Sequence, residues 1–386
     1  MNPHQDLDQT GFLHHTGVRS AATRRRIKPS FASVTVLASA LLIVSFAHAA
    51  RAGSMPIVPL QISTAPANGD LNPYGLAEVP AGFPEGSIKS GQLLVSNFNN
   101  SANTQGKGTT IIAVSPGSGK TSLFFAGTPG TPLGFSNALA VAEDGFVFAG
   151  SVPTSDPHGT AAEPGALLVI DHKGNLVTQL TTPDKINGPW GMAINDQDDR
   201  AQLFVSNVLD GTITRLEVSF AHHSFSVVGT PLTIAHGFAF GTDPAAVVVG
   251  PAGLAYDKRR DILYVASELD NEIFALDGAG KTTTDLGKGT VVFSDTAHLR
   301  GPLGLILATN GDLITANADP TTVTNTTAGT SEIVEFTRHG NFVRTFSIDS
   351  AAGSAFAINE LTRTGFIQFS YVDDAEATLS ILHLTH

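Results

Sequence analysis

Apolar residues along this chain come in short runs, rich in β-branched and aromatic types and often alternating with polar ones. That is the pattern of half-buried strands, and nowhere does a convincing amphipathic helical period appear. One order of elements recurs. A small-apolar-small tripeptide, usually after Pro, stands at Gly75-Leu76-Ala77, Ala138-Leu139-Ala140, Gly191-Met192-Ala193, Gly253-Leu254-Ala255, Gly304-Leu305-Ile306 and Ala355-Phe356-Ala357. After each comes a turn and a strand that ends in small or polar residues: Leu93–Asn97, Phe146–Gly150, Leu203–Asn207, Ile262–Ser267, Leu313–Asn317 and Phe366–Ser370. A third strand follows at Thr110–Val114, Ala166–Ile170, Thr212–Leu216, Glu272–Leu276, Glu332–Phe336 and Thr378–Leu382. In several units a tight turn such as His172-Lys173-Gly174-Asn175, Asp277-Gly278-Ala279-Gly280 or Arg338-His339-Gly340-Asn341 leads to a fourth, with Gly or Asn supplying positive φ.

The tripeptides are spaced by 63, 53, 62, 51 and 51 residues, the length of four-stranded propeller blades with long loops. The chain is therefore read as all-β, a six-bladed β-propeller over residues 53–386. Its sixth unit stops after a third strand. The piece Ile57-Val58-Pro59-Leu60-Gln61-Ile62 is strand-like and has no other role. It is expected to supply the outer strand of the last blade and close the ring, since an open ring would expose strand edges. Pro59 suits an outermost strand, where one edge needs no donor.

The first 52 residues are different. Arg24, Arg25, Arg26 and Lys28 precede an apolar run from about Phe31 to Ala47, followed by Ala47-His48-Ala49 and Ala50-Arg51-Ala52. This is the layout of a cleaved signal peptide, too short and too rich in small residues for a stable span. Thr23-Arg24-Arg25-Arg26-Ile27-Lys28 resembles a twin-arginine export signal, with Lys28 where a second apolar residue usually stands. The expected location is periplasmic or secreted. Of 22 Lys+Arg and 34 Asp+Glu, six and two lie in residues 1–52, so 16 and 32 remain, a net charge of −16. Such a surface repels phosphate backbones, so no nucleic acid is expected as partner. With no Cys in the chain, disulfides, thiolate chemistry and Cys-type metal sites are excluded.

Gly250-Pro251-Ala252-Gly253-Leu254-Ala255-Tyr256-Asp257, then Leu263–Ser267, then Asn271–Leu276 form one complete repeat, and Asn187–Ala193 with Leu203–Asn207 another. At these residues the chain resembles the NHL-repeat and streptogramin-lyase-like propellers, over about residues 57–386. The resemblance implies the fold and leaves the activity open, because one scaffold carries many functions.

In such a ring the turn before each innermost strand and the turn after its second strand share one face. The second strands end in Asn97 and Asn99, Ser151, Asn207 and Asp210, Glu268 and Asp270, Asn317 and Asp319, and Asp373 and Asp374. Tyr74, Asn137, Trp190, His236 and His298 come from the other turns. The ligand-binding candidates are Tyr74, Asn97, Asn137, Trp190, Asn207, Glu268 and Asn317. Asn and Asp are also turn formers in their own right, so part of this set is expected to be turn chemistry. Glu268 is the exception, a poor turn former where the repeat mates read as Asn or Ser. The expected function is a monomeric binding or interaction protein taking a small molecule or a protein partner at the channel mouth. The alternative is an enzyme, a metal-dependent lactone hydrolase or a streptogramin-lyase-like eliminase. Lactonase-type propellers hold a divalent cation on oxygen ligands, and Asn137, Asn207, Glu268, Asn317 and Asp319 approximate such a set for a cation such as calcium. Asn72-Pro73-Tyr74-Gly75 stands where those relatives carry Glu-Gly-Pro. A lyase would want a His base, for which His236 or His298 would have to fold inward.

Ser115–Thr121 ends like a phosphate loop but lacks the first Gly and joins two strands. Gly134–Ala138 lacks the strand–turn–helix setting of a nucleophile elbow. The His222-His223 pair is expected on the opposite face.

Overall fold

A computed structural model describes residues 59–384, apart from 128–132, 157, 159, 222–223, 325, 327–331 and 352. Residues 1–52, Ile57, Val58 and the His222-His223 pair therefore lie outside the described residues. Strand β1 (Leu60–Ser63) is followed by blade 1: β2 (Leu71–Glu78), β3 (Leu93–Asn99), β4 (Thr110–Ser115) and β5 (Lys120–Ala126). Blade 2 holds β6 (Leu139–Ala142), β7 (Phe146–Ser151), β8 (Ala166–Asp171) and β9 (Leu176–Leu180). Blade 3 holds β10 (Pro189–Gln197), β11 (Arg200–Asn207), β12 (Thr212–Ser219) and β13 (Ser226–His236). A separate hairpin, β14 (Gly241–Asp243) and β15 (Val247–Val249), comes next. Blade 4 is β16 (Pro251–Asp257), β17 (Ile262–Ser267), β18 (Glu272–Asp277) and β19 (Thr290–Phe293). Blade 5 is β20 (Pro302–Leu307), β21 (Leu313–Asn317), β22 (Glu332–Phe336) and β23 (Phe342–Ser347). Blade 6 is β24 (Ala355–Arg363), β25 (Phe366–Asp373) and β26 (Thr378–Leu384), completed by β1.

Six four-stranded antiparallel sheets result, and their inner strands pack in sequence, β2 on β6, β10, β16, β20 and β24, with β24 back on β2. The ring closes as expected. Leu60 to Ser63 pair antiparallel with Ile381 to Thr378, and Asn97 Nδ2 donates to the Thr64 carbonyl (3.1 Å), fastening the chain just beyond the closing strand to blade 1.

The small residues of the recurring tripeptide are required by the ring itself. A Cβ on Gly191 would overlap the Ala252 carbonyl, on Gly253 the Leu303 carbonyl and on Gly304 the Phe356 carbonyl, each in the next blade. Serines stitch the same seam. Ser206 Oγ accepts from the Gly191 N–H (2.7 Å) and donates to the Ala252 carbonyl (2.7 Å), and Ser96 does so between Gly75 (3.0 Å) and the Ser136 carbonyl (2.6 Å). Blade 2 reverses the pair: Ala138 carries the methyl and Gly150 opposite it makes room. Away from the axis, apolar clusters fill the wedges between blades, such as Leu94, Ile111 and Val147 between blades 1 and 2. Outer strands carry the solvent face, and all of β23 is exposed.

In blade 6 the register corrects the sequence reading. Ala355 pairs with Asp373 and Ile358 with Tyr371, as Pro189 pairs with Asn207 and Met192 with Val205 in blade 3. The unit equivalent to Gly191-Met192-Ala193 is thus Ala357-Ile358-Asn359, two residues later than the Ala355-Phe356-Ala357 read from sequence. The apolar residue there is followed by Asn rather than by a small residue, which hid it.

Candidate functional site

Five inner strands carry a register shift at their start, between Pro73 and Leu76, Pro189 and Gly191, Pro251 and Leu254, Pro302 and Leu305, and Ala355 and Ile358. A bulge re-aims the side chain it carries, and Pro at a strand's first residue costs no ladder bond. The residues so placed are Tyr74, Trp190, Ala252, Leu303 and Phe356, with Asn137 at the matching place in blade 2. They line the axis. Tyr74 stacks on Phe98 (ring centroids 4.0 Å apart) and on Phe356 (3.7 Å), and Trp190 meets Phe98 edge-on at 5.9 Å.

Two cavities follow the axis. The inner one, about 70 Å³, is bordered by Asn137, Trp190, Leu303 and the glycines of the inner strands. The second, about 180 Å³, lies at the channel mouth, where Tyr74, Trp190, Leu303 and Phe356 face Asn72, Glu268, Ala318, Asp319 and Asp374. Trp190 and Leu303 border both and form the partition. The hairpin β14–β15 roofs the mouth chamber with Ala245, Ala246 and Val248. It is pinned from two sides. Gln105 Nε2 of a blade 1 loop donates to the Ala245 carbonyl (2.8 Å), and Asp243 accepts from the Thr322 N–H (2.7 Å) and the Thr321 hydroxyl (3.0 Å) of blade 5. Val247 is held at φ 65°, a left-handed conformation a β-branched residue rarely adopts.

The acids of the chamber are displaced from their ordinary state. Glu268 is 1% exposed, and burial pushes its carboxyl up to about 8. The Gly250 N–H (3.2 Å) and the Trp190 indole oppose the rise, and the Asp243 charge adds to it. Asp374 is raised to about 7 by burial and by Asp373 and Asp349. Asp319 is raised to about 6 by burial, against the Gly353 N–H and Arg300, whose Nε is 3.7 Å away. The Tyr74 phenol is held well above its usual value by burial and by Asp374, Glu268 and Asp243. Trp190 Nε1, Asn72 Oδ1 and Asp319 Oδ1 are buried without a hydrogen-bond partner; the indole influences the Glu268 charge without completing a bond to it.

Of the residues singled out from sequence, Tyr74, Trp190, Glu268, Asp319 and Asp374 meet in this chamber, and Asn137 lines the inner cavity. Asn97, Asn207 and Asn317 lie behind it, and their side chains are engaged in holding loops. Asn207 donates to the Lys185 carbonyl and Thr214 Oγ1 and accepts from the Asn187 N–H. Asn317 bridges the His298 carbonyl and the Arg300 N–H. From blade 4, Asn271 holds the same loop into blade 5, between the Leu299 carbonyl and the Gly301 N–H. The repeat mates of Glu268 also change. Ser267 pairs with Pro251 as Asn207 pairs with Pro189, so Glu268 matches Phe98, Val152, Val208, Ala318 and Asp374, one residue past the Asn series. Neither His236, bonded to Asp285, nor His298, bonded to Asp295 and stacked on Phe342, lines the chamber. Among the described residues no three His, Asp or Glu are gathered as a metal site. Ser115–Thr121 forms the turn of a β4–β5 hairpin.

Sequence reasoning missed the hairpin roof, Asn72 and Phe356. The roof had a signal, since the spacing into blade 4 is 62 residues where the next two are 51.

No family model and no curated protein matches the chain. Among solved structures it is similar to a gluconolactonase of Xanthomonas campestris, at 15% identity over 84% of this chain and 90% of that one, with a TM-score of 0.47. It is also similar to a calcium-binding protein, regucalcin, of Agrobacterium tumefaciens, at 13% identity over 82% and 91%, with a TM-score of 0.47. A luciferin-regenerating enzyme is 10% identical over 85% and 95%, with a TM-score of 0.44.

Proposed function

We propose that this protein is an exported binding protein that takes a small molecule into the chamber at the channel mouth. The observation that carries the reading is the buried Trp190 Nε1 in the chamber wall, a donor that completes no hydrogen bond, beside the unpartnered Asn72 Oδ1. Leaving such groups unmade costs about 1–3 kcal/mol each, and polar atoms converging in an apolar, aromatic pocket are the usual make-up of a ligand site. The signal-peptide layout of residues 1–52 supports export.

A second reading, a metal-dependent lactone hydrolase using a cation such as calcium, is favoured by the oxygen-rich wall of Glu268, Asp319 and Asp374. Native mass spectrometry of protein recovered from an exporting host tests both. The expected species begins at Ala50 or Gly53 and carries a small organic molecule that acid denaturation releases. A chain retaining Arg24–Arg26 contradicts export. A chelator-sensitive metal adduct with no organic mass favours the hydrolase.

A further inference from the structure

The chemistry of the chamber also restricts its ligand. Its wall offers oxygens in excess: the carboxyls of Glu268, Asp319 and Asp374 and the orphaned carbonyl oxygen of Asn72. Among the described residues no Lys, Arg or His forms an ion pair with Glu268 or Asp374; Asp319 alone has a cation near it, Arg300. Beside these oxygens lie the rings of Tyr74, Phe356 and Trp190. An aromatic face attracts a cation, more strongly where water is excluded, and an N–H-bearing cation gives the unpartnered Asn72 oxygen a donor and the carboxyls a counter-charge. An anion would find no Lys, Arg or His in this wall to neutralise it. A single metal ion would need them gathered around one point, which the described residues do not show. The volume, about 180 Å³, is below the roughly 300–1,000 Å³ of pockets for drug-sized ligands, so the ligand is compact.

Building on the binding reading above, we propose that the ligand is a small alkylammonium, its N–H groups donating to Glu268 and Asp374 and its apolar part lying against Phe356 and Leu303. The cation offsets the burial that holds both carboxyls protonated, and draws them into the ionised form. The groups facing Glu268 are Tyr74, Asp243 and the Trp190 indole, none of which supplies a positive charge.

The test is a calorimetric titration of the full mature protein with n-butylammonium and with 1-butanol, its neutral counterpart, alongside calcium alone. The expected result is saturable binding of n-butylammonium and binding of 1-butanol weaker by more than about tenfold. Glu268→Gln and Asp374→Asn should each weaken n-butylammonium by a similar factor, and two variants guard against one that fails to fold. Equal binding of the alcohol and the amine overturns the cation and leaves the small-molecule site standing. Calcium binding without amine binding replaces the cation with a metal. No heat from any of the three overturns the ligand class alone; an organic mass on the native protein still decides the binding reading.

Discussion

At the scale of the residue, Glu268 is a carboxyl buried in the chamber wall. It stood out in the sequence as a carboxylate at a strand end, and the structure buries it under the hairpin with a carboxyl raised to about 8. Its unfolded value is that of an ordinary Glu, about 4.3, so between those limits the folded state holds the extra proton. Stability is therefore lost as pH rises from about 4 to about 8, and above the folded value the whole penalty is present. Gln at this position cannot ionise and still accepts from the Gly250 N–H. Glu268→Gln should raise the melting temperature, with a gain that grows from pH 5 to pH 8 and then levels, about 5 kcal/mol at its largest. Melting scans at several pH values check this, and a gap independent of pH contradicts it. Tyr74 and Trp190 were legible because each stands between a Pro and a small-apolar-small tripeptide, a place that recurs from blade to blade. Asn97, Asn207 and Asn317 were indistinguishable from chamber residues in sequence. A polar residue at a strand end reads the same whether it faces the axis or the loop behind, and one step of register decides between them.

At the scale of the element, the repeated strands were legible because the physics behind them repeats: a Gly or Ala where the next blade's carbonyl approaches, then a strand buried on both faces. The closing strand was legible for the opposite reason, as a strand-like piece with no partner nearby. The structure places it at Leu60–Ser63 against β26. Deleting residues 57–63 should leave Leu379 and Ile381, now buried, beside an open edge, together with the unpaired groups of β26. A loss of at least a few kcal/mol is expected, from about 1–3 kcal/mol for each buried group left unpaired. A truncated protein that melts with the full mature chain would mean that β1 does not hold the ring shut. The hairpin β14–β15 was not legible as a roof. Its strands have three residues each, too short for a period, and its position rests on distant contacts at Gln105, Thr321 and Thr322 that no local pattern announces.

At the scale of the whole molecule, the ring brings together residues from distant parts of the chain, Asn72 from blade 1 and Asp374 from blade 6 among them, in one chamber. Residues 53–386 carry a net charge of −16, a long-range field that draws cations to the surface, in keeping with the acids at the mouth. Trp190 is the only Trp in the sequence and forms part of the chamber wall, so its emission reports this one place. Ala318 lines the same wall, and Ala318→Leu would fill the space without touching the polar atoms. The most direct measurement is the Trp190 emission of both proteins during titration with n-butylammonium. A saturable change in the wild type that is absent in a folded Ala318→Leu protein is the predicted result. The same change in both proteins, or calorimetric binding that leaves Trp190 emission unmoved, would place the ligand elsewhere and contradict the chamber as the binding site.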